Sequence, residues 1–412
     1  MRVILRITDS GPISLRSNRD VFGAKSIDYI PGRVVLGGLA GAHATLRNNS
    51  TEFGEFFLSE YSSFGNLYPS SFRHDLVDLQ GETDPVYPLP ATAVTCKRFS
   101  GFIFDEYDAQ DDPHHGVYDT LIPWALFSLD GQTQPGLLAG LARCNHPSGC
   151  QEPLDRFDGY YRRNSWDSKK MGSPQVDRGL RTRTGISRQT GAVAKSILYS
   201  REVLGPGMGF WGTATIPDSS ADAFYQFVEE ANNAGELRFG SNRTRGLGRV
   251  VLGMDKSGPV DTTEDLRTRI SSFDQELRTQ ATAAGVTLPH ALYVPLTLAS
   301  DTILLDHLLR YQSHVSASYL QESWQLSDAV LVYHNGGVQS VMGWNDVLRI
   351  PRADETAIVK GSVFLYGFSS PLDDSKIASF LRIQEQGLGV RVREGFGRVV
   401  IANSFHWEVK GQ

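Results

Sequence analysis

The sequence predicts an α+β fold in which one structural unit occurs twice, and three observations indicate this. Residues 209–254 and 358–409 share one order of elements: strand, helix, a loop containing glycine and arginine, and strand. Hydrophobic residues form 40% of the chain, which is enough for packed cores. The length of 412 residues suits two or three domains at roughly 150 residues each. We therefore expect two sheets, each covered by helices on one side.

The first half of the chain contains strands with helices between them. β-Branched residues predict a strand at 2–8, and Pro31 stands where a helix can begin. Ser219 or Ser220 would cap the next helix, and Gly235 would end it. Further strands are predicted at 195–204, 209–216 and 247–254.

The second half follows a predicted connector helix. Residues 262–284 place Leu266, Ile270, Phe273 and Leu277 on one helical face. Residues 300–312 combine strand and helix signals. Strands are then predicted at 290–299, 328–335, 346–351, 358–368 and 397–409, and a helix at 370–387 capped by Asp373 or Asp374.

These elements predict the domain boundaries. The first unit would cover 1–255 and the second 285–412, with the connector at 256–284. Residues 48–180 are rich in Phe, Tyr, Pro and Asp and lack sustained periodicity. We interpret them as a long, loop-rich insertion in the first unit.

Cysteine content and hydropathy narrow the class of protein. Three cysteines cannot form a disulfide scaffold. No apolar run approaches the roughly 18 residues that span a bilayer. The N-terminal residues MRVILRITDSG predict a strand rather than a signal peptide. We expect a cytoplasmic protein without a membrane partner.

The net charge of −6 argues against a nucleic-acid partner only if the charge is evenly spread, and it is not. Residues 51–119 hold thirteen acidic and three basic residues, a net charge of −10. Basic residues gather instead in glycine-containing segments at 181–200, 236–256 and 387–398. Because the local field steers a polyanion, these segments are candidate RNA contacts.

Two glycine–arginine loops lie between the last helix and the last strand of each half. The C-terminal loop, residues 387–397, has glycine–apolar–glycine at both ends and arginines between them. The first, residues 238–248, is a degraded copy in which Arg238 replaces one glycine. Glycine lets backbone N–H groups approach a phosphate, and arginine adds charge and paired donors. The loops match neither a Walker A loop nor a dinucleotide fingerprint.

These loops resemble those of the RAMP superfamily of CRISPR-associated proteins. Three other segments are similar to that family: residues 29–32 (YIPG) with Gly37 and Gly38, residues 184–202, and residues 360–363 (KGSV). Arg33 and Val34 depart from the usual small polar pair after YIPG. The closest resemblance is to a two-unit, Cas-five-like RAMP subunit of type III-D effector complexes. It implies two ferredoxin-like, RNA-recognition-type units with the insertion in the first.

The resemblance implies an RNA-binding subunit of an antiviral ribonucleoprotein. Such a subunit holds the 5′ handle of CRISPR RNA, meets target RNA indirectly, and contacts other RAMP subunits and the large Cas-ten-like subunit. Phe239 and Phe396 either stack on bases or pack beneath the loops. The residues expected to contact RNA are Arg16, Arg19, Lys25, Arg33, Arg181, Arg183, Arg188, Arg243, Arg245, Gly246, Gly248, Gly387, Gly389, Arg391, Arg393, Gly395 and Gly397.

Two other functions stay open. An endoribonuclease acting on precursor or target RNA would need an acid–base group, for which Asp20, Asp28 and His43 are the candidates. His43 lies on the first helix, where a packed histidine is the alternative. A structural scaffold would use the acidic insertion as its docking surface.

The cysteines allow a metal site in the insertion. Cys144 and Cys150 flank a short polar loop, Cys96 lies upstream, and His115 completes a Cys3His set. His114 and His146 are alternatives to His115, and three free thiols are the alternative to any metal. A structural zinc ion would explain how a loop-rich insertion stays ordered.

Overall fold

The computed structural model describes residues 1–15, 25–70, 85–103, 113–163, 171–186, 192–256, 261–345, 348 and 350–410. Its strands are β1 (Arg2–Ser10), β2 (Ser63–Phe64), β3 (Tyr68–Pro69), β4 (Tyr87–Pro88), β5 (Ala93–Cys96), β6 (Val117–Asp119), β7 (Leu154–Arg156), β8 (Tyr160–Arg163), β9 (Met171–Gly172), β10 (Arg178–Ile186), β11 (Val193–Leu204), β12 (Phe210–Thr215), β13 (Val250–Asp255), β14 (Leu292–Leu298), β15 (Ala329–Asn335), β16 (Val338–Val341), β17 (Trp344–Asn345), β18 (Ile350–Pro351), β19 (Glu355–Ile358), β20 (Val363–Phe368) and β21 (Val399–Ile401). Its helices are α1 (Gly32–Leu46), α2 (Ser50–Phe53), α3 (Leu121–Leu129), α4 (Ala221–Ala234), α5 (Thr263–Ala284), α6 (Ala317–Trp324), α7 (Asp374–Gln386) and α8 (Phe405–Glu408).

The first sheet has the ferredoxin-like strand order. Its strands lie in the order β13-β1-β12-β2, with β3 also paired to β12, and every pair is antiparallel. Helix α1 follows β1, and α4 connects β12 to β13. Phe224, Phe227 and Val228 of α4 are buried in one core with Val35 and Leu39 of α1. Helical spacing of these apolar residues explains why both helices cover the sheet.

The second sheet repeats this arrangement. Its order is β15-β20-β14-β21, again antiparallel, and α7 connects β20 to β21. In both sheets the first and last strands of the unit are neighbours. The predicted α+β fold with two ferredoxin-like units is therefore confirmed.

Helix α7 begins at a network of polar side chains. Asp373 accepts a hydrogen bond from the Lys376 backbone N–H at 2.8 Å, which caps the helix. The Lys376 ammonium donates to the Ser370 hydroxyl at 2.7 Å, and that hydroxyl donates to Asp328. Burial alone would raise the pKa of Asp328, but the hydrogen bonds from Ser370 and the charge of Lys376 outweigh it and leave the pKa below its usual value.

The chain divides into two compact units whose boundaries differ from the sequence-based ones. The first contains residues 1–86, 174–259 and 393–395, and the second contains 87–173, 260–392 and 396–412. Residues 87–173, predicted within an insertion of the first unit, thus pack with the second. Helix α5, predicted as a connector, also belongs there, because its apolar face enters that unit's cores.

Two predicted elements take a different form. Residues 397–409 were expected to form one strand, but β21 ends at Ile401 and α8 follows. Ala402 adopts φ +46°, in the left-handed region, which interrupts the extended backbone. Within 300–312 the structure shows β-bridges and a turn at Asp306–Arg310. Among the described residues, no helix is long and apolar enough to cross a membrane.

Candidate nucleic-acid interface and metal centre

The first glycine–arginine loop is closed by backbone hydrogen bonds. The Phe239 N–H donates to the Gly248 carbonyl at 2.7 Å, and the Gly248 N–H donates to the Pro12 carbonyl at 2.9 Å. The Ser241 N–H donates to the Ser14 carbonyl at 2.8 Å. The loop therefore has one fixed backbone path between α4 and β13.

The second loop repeats each of these bonds. The Leu388 N–H donates to the Gly397 carbonyl at 2.8 Å, and the Gly397 N–H donates to the Asp301 carbonyl at 2.9 Å. The Val390 N–H donates to the Ile303 carbonyl at 3.0 Å. The bonded residues of the second loop follow one another at the same spacing as those of the first loop. The duplication therefore extends to individual hydrogen bonds.

Two equivalent glycines are required by this geometry. Gly248 has φ +84°, and a Cβ there would lie 2.1 Å from the Phe239 carbonyl oxygen. Gly397 has φ +74°, and its Cβ would lie 2.0 Å from the Leu388 carbonyl oxygen. A side chain at either position would push the loop open.

A long hairpin, β10–β11, contributes arginines next to the first loop. Arg181 pairs with Arg201 across the hairpin, and Arg183 pairs with Tyr199, so all four lie on one face. Arg183 donates to the carbonyl of Arg245 at 3.1 Å, and Arg245 donates to the Tyr199 hydroxyl at 2.7 Å. This face and the first loop therefore carry one continuous group of arginines.

Among the described residues, no carboxylate neutralises the positive charges of this group. Arg201 donates to the Ser241 hydroxyl at 3.1 Å, and Arg238 donates to the Arg243 carbonyl at 3.3 Å. These acceptors are uncharged, and no ion pair to the group is found in the part of the chain that the structure describes. We name the group the arginine platform: Arg181, Arg183, Arg201, Arg238, Arg243 and Arg245. Such a surface attracts a polyanion.

The second loop differs in its charge. Arg391 forms an ion pair with Glu355, and its guanidinium lies 4.8 Å from the centre of the Phe396 ring. Its positive charge is therefore largely neutralised within the second unit.

The four predicted metal ligands converge in the second unit. The ligand atoms of Cys96, His115, Cys144 and Cys150 all lie within 4.8 Å of one another. The Sγ atoms of Cys96 and Cys150 are 3.9 Å apart, and the Cys144 Sγ lies 3.4 Å from the His115 Nδ1. Tetrahedral zinc would place two thiolates about 3.8 Å apart and a thiolate and an imidazole about 3.6 Å apart. The donor set therefore fits such an ion.

The hydrogen bonds of the neighbouring histidines favour His115 as the fourth ligand. His146 stacks on His115 with ring centres 4.0 Å apart, and its Nδ1 accepts the Ser148 N–H. The Nδ1 of His146 thus contacts Ser148 of its own loop, and the ligand atoms that converge with the three thiols are those of His115. His114 points its Nδ1 at the Ser100 carbonyl, 2.6 Å away.

Burial makes the cluster unfavourable for free thiolates. It raises the pKa of the Cys144 thiol to about 11, and neighbouring Cys96 adds to this effect. A bound cation would reverse that preference, since a coordinating thiol is deprotonated.

A comparison with family models identifies the chain. The model of the RAMP superfamily matches residues 20–251, more than half of the sequence. The chain belongs to the RAMP superfamily. The resemblance inferred from the glycine–arginine loops is thereby confirmed. No curated protein matches the chain.

The chain is similar to chains of several solved structures, all at low TM-scores. A chain of the type III-B Cmr-beta complex bound to cognate target RNA and AMPPnP has a TM-score of 0.36 and 15% identity, covering 89% of this chain and 86% of its own. A chain of the Csm3–Csm4 subcomplex of the type III-A CRISPR-Cas interference complex has a TM-score of 0.34 and 9% identity. The match covers 91% of this chain and 95% of that chain. A chain of a Cas6 product complex has a TM-score of 0.28 and 12% identity. The match covers 48% of this chain and 80% of that chain.

The other predicted RNA contacts of this RAMP protein have varied environments. Lys25, Gly246 and Gly389 are exposed, Arg33 and Arg393 are half-buried, and Gly387 and Gly395 are buried. Arg16, Arg19 and Arg188 lie outside the described residues. Tyr199 and Arg238 lie in the basic segments predicted from the sequence, but Arg201 lies outside them, although period-two alternation along the hairpin could have placed it beside Arg181.

The loop aromatics pack beneath the loops. Phe239 is fully buried in the first core, and Phe396 is 9% exposed beside Ile303. Of the two interpretations of these rings, the structure supports packing rather than stacking on bases.

The candidate acid–base groups are engaged within the RAMP fold. His43 is fully buried, and its Nε2 lies 2.9 Å from Glu52. Asp28 lies 3.9 Å from Arg178 in an ion pair. Asp20 lies outside the described residues. His43 is thus a packed histidine, since four rings surround it within 5.8 Å: Phe53, Phe56, Phe57 and Phe227.

Proposed function

We propose that this chain is an RNA-binding subunit of a type III CRISPR effector complex. In this role it holds the 5′ handle of CRISPR RNA and contacts the large Cas-ten-like subunit. The subtype proposed is III-D, from the resemblance of the two-unit sequence. Membership of the RAMP superfamily supports the class of protein.

The observation that carries the proposal is the arginine platform. The platform links the β10–β11 hairpin to the first loop, and the acceptors of Arg183, Arg201, Arg238 and Arg245 are uncharged. An RNA backbone supplies the missing negative charge, and guanidinium groups donate to phosphate oxygens in pairs. Exposed Arg243 and Arg245, beside the fixed loop backbone, are proposed to bind consecutive phosphates.

The proposed partners follow from the same charge distribution. CRISPR RNA occupies the platform, and target RNA is met indirectly through pairing to it. The acidic residues of segment 51–119 suit basic surfaces of neighbouring RAMP subunits or of the large subunit. The cytoplasm is the proposed compartment.

RNA binding is tested with the purified full chain and a synthetic 5′-handle RNA. Fluorescence anisotropy is measured across salt concentrations, with a scrambled RNA of equal length as control. Tighter binding to the handle and an affinity that falls with salt support the proposal. Equal affinity for both RNAs contradicts the handle assignment, and no salt dependence contradicts phosphate binding. Gel analysis of the same samples detects cleavage, which would indicate an endoribonuclease.

We also propose that the Cys3His cluster binds a structural zinc ion. Three thiolates and an imidazole are a donor set that favours zinc over calcium, magnesium or manganese. Four protein ligands leave no open position for a substrate, so the role is structural. We expect about one zinc per chain by mass spectrometry of the metal, and loss of it in His115→Gln but not in the matched His114→Gln. Equal zinc content in the two variants would contradict the ligand set.

A further inference from the structure

The proposed metal ligands lie at one end of a small sheet. Strand β5 pairs with β6 on one side and β7 on the other, both antiparallel. Cys96 ends β5, and His115 lies two residues before β6 begins. Cys144 and Cys150 precede β7, and the Cys144 N–H donates to the Glu152 carbonyl at 2.8 Å. Antiparallel pairing therefore brings all four ligands to the same end of the sheet.

The opposite end of β6 carries a buried carboxylate. The Asp119 side chain is 2% exposed, and its Oδ2 lies 2.9 Å from the Nδ1 of His406 in helix α8. The Nε2 of the same imidazole lies 2.7 Å from the Thr297 hydroxyl on β14. His406 thus joins the metal-bearing sheet to the second ferredoxin-like sheet.

This order of hydroxyl, imidazole and carboxylate also occurs in hydrolytic triads, but burial argues against catalysis here. Thr297 is 2% exposed and His406 is 3% exposed, so the hydroxyl does not face a substrate. We interpret Asp119 and His406 as positioning residues that hold α8 in place.

Helix α8 depends on these contacts for its position. It has four residues, far fewer than the roughly 12 that a helix needs to be stable by itself. Its Phe405 and the following Val409 pack against Val117 of β6. The Asp119 N–H donates to the Val409 carbonyl at 3.4 Å, and Tyr118 forms a β-bridge with Lys410. Strand β6 therefore supports the C-terminal segment, together with α5, whose Phe273 ring contacts His406 and Trp407.

We propose that metal binding at the Cys3His cluster controls the anchoring of helix α8 through strand β6. The inference rests on the zinc site proposed above. Strands β5, β6 and β7 have only three or four residues each, which is short for a sheet that must keep its register alone. A metal bound to Cys96 and His115 fixes the adjoining ends of β5 and β6. Without it, β6 shifts, and Asp119 leaves His406.

The test is amide hydrogen exchange of the full chain, measured zinc-loaded and after removal of zinc by a chelator. We expect exchange in residues 405–409 to quicken by about tenfold or more, as for loss of one charge-assisted hydrogen bond. Residues of α4 in the first unit serve as the internal reference and should not change. Unchanged exchange of 405–409 in protein shown to be metal-free overturns the inference. A chain that binds no zinc at all refutes the zinc site and this coupling together, while RNA binding is measured separately.

A variant decides whether the effect passes through Asp119. Asp119→Asn should still bind one zinc, and its 405–409 segment should exchange about as fast as the chelated wild type. Removing zinc from this variant should then increase the exchange rate of residues 405–409 only slightly, because the contact between Asp119 and His406 is already lost. A further acceleration as large as in the wild type would show that zinc acts on α8 by another route and would refute the coupling through Asp119.

Discussion

Removing the two exposed arginines of the first loop should weaken RNA binding by a calculable amount. Arg243 and Arg245 have no acidic partner among the described residues, so each can neutralise one phosphate. For single-stranded nucleic acid, each phosphate contact contributes about 0.7 to the slope of log K against log salt. The double variant Arg243→Ala with Arg245→Ala should therefore reduce the slope by about 1.4. Near 0.15 M salt this corresponds to roughly tenfold weaker binding.

The assay is anisotropy of labelled 5′-handle RNA between about 0.05 and 0.4 M potassium chloride, a range over which log K should fall linearly with log salt. Arg310→Ala is the matched control, because Arg310 is also an exposed arginine, 70% accessible, but is paired with Asp306. We expect the control to keep the wild-type slope. If the double variant keeps that slope, or if Arg310→Ala lowers it equally, the arginine platform does not bind phosphate.

Three further predictions concern the loops and one half-buried acid. Gly248→Ala should lower the free energy of unfolding by about 2 kcal/mol and weaken RNA binding. Gly246→Ala should lower the free energy of unfolding by only about 1 kcal/mol, because Gly246 has φ +78° but open space around it. Equal losses in thermal unfolding would contradict the argument from the Gly248 contact. Glu355→Gln removes the carboxylate that pairs with Arg391 and should steepen the salt dependence of RNA binding. An unchanged slope would show that this ion pair does not limit RNA binding. Because the pKa of Asp328 is depressed in the folded state, the stabilisation by this carboxylate is present at neutral pH and is lost as pH falls below about 4. Asp328→Asn should therefore make the free energy of unfolding less dependent on pH in the acid range. An unchanged pH dependence there would refute this prediction.

The sequence predicted the duplicated fold because its signals are local. Helix α4 ends at Gly235, and helix α7 is capped by Asp373, as capping rules require. The positions of Gly248 and Gly397 follow from the same turn geometry. These features depend on neighbouring residues, so a single sequence contains enough information to place them.

Features that depend on distant contacts were not predictable in this way. The pairing of Arg391 with Glu355 joins residues in different elements, and only the folded chain brings them together. The packing of residues 87–173 with the second unit is likewise set by tertiary contacts. The choice of the fourth metal ligand was open for a related reason: only the folded chain places His115, rather than His146, among the converging ligand atoms.

The two glycine–arginine loops show what duplication has kept and what has changed. The backbone hydrogen bonds of Phe239 and Leu388 are equivalent, because closing the loop requires the same glycines in both units. The side chains face no such requirement: Arg245 donates to a tyrosine hydroxyl, whereas Arg391 is held by a carboxylate. The same loop can therefore present a free charge in one unit and a neutralised one in the other. For this reason, glycine spacing is common to both copies, whereas ion pairing distinguishes them and underlies the proposal that the first copy binds RNA.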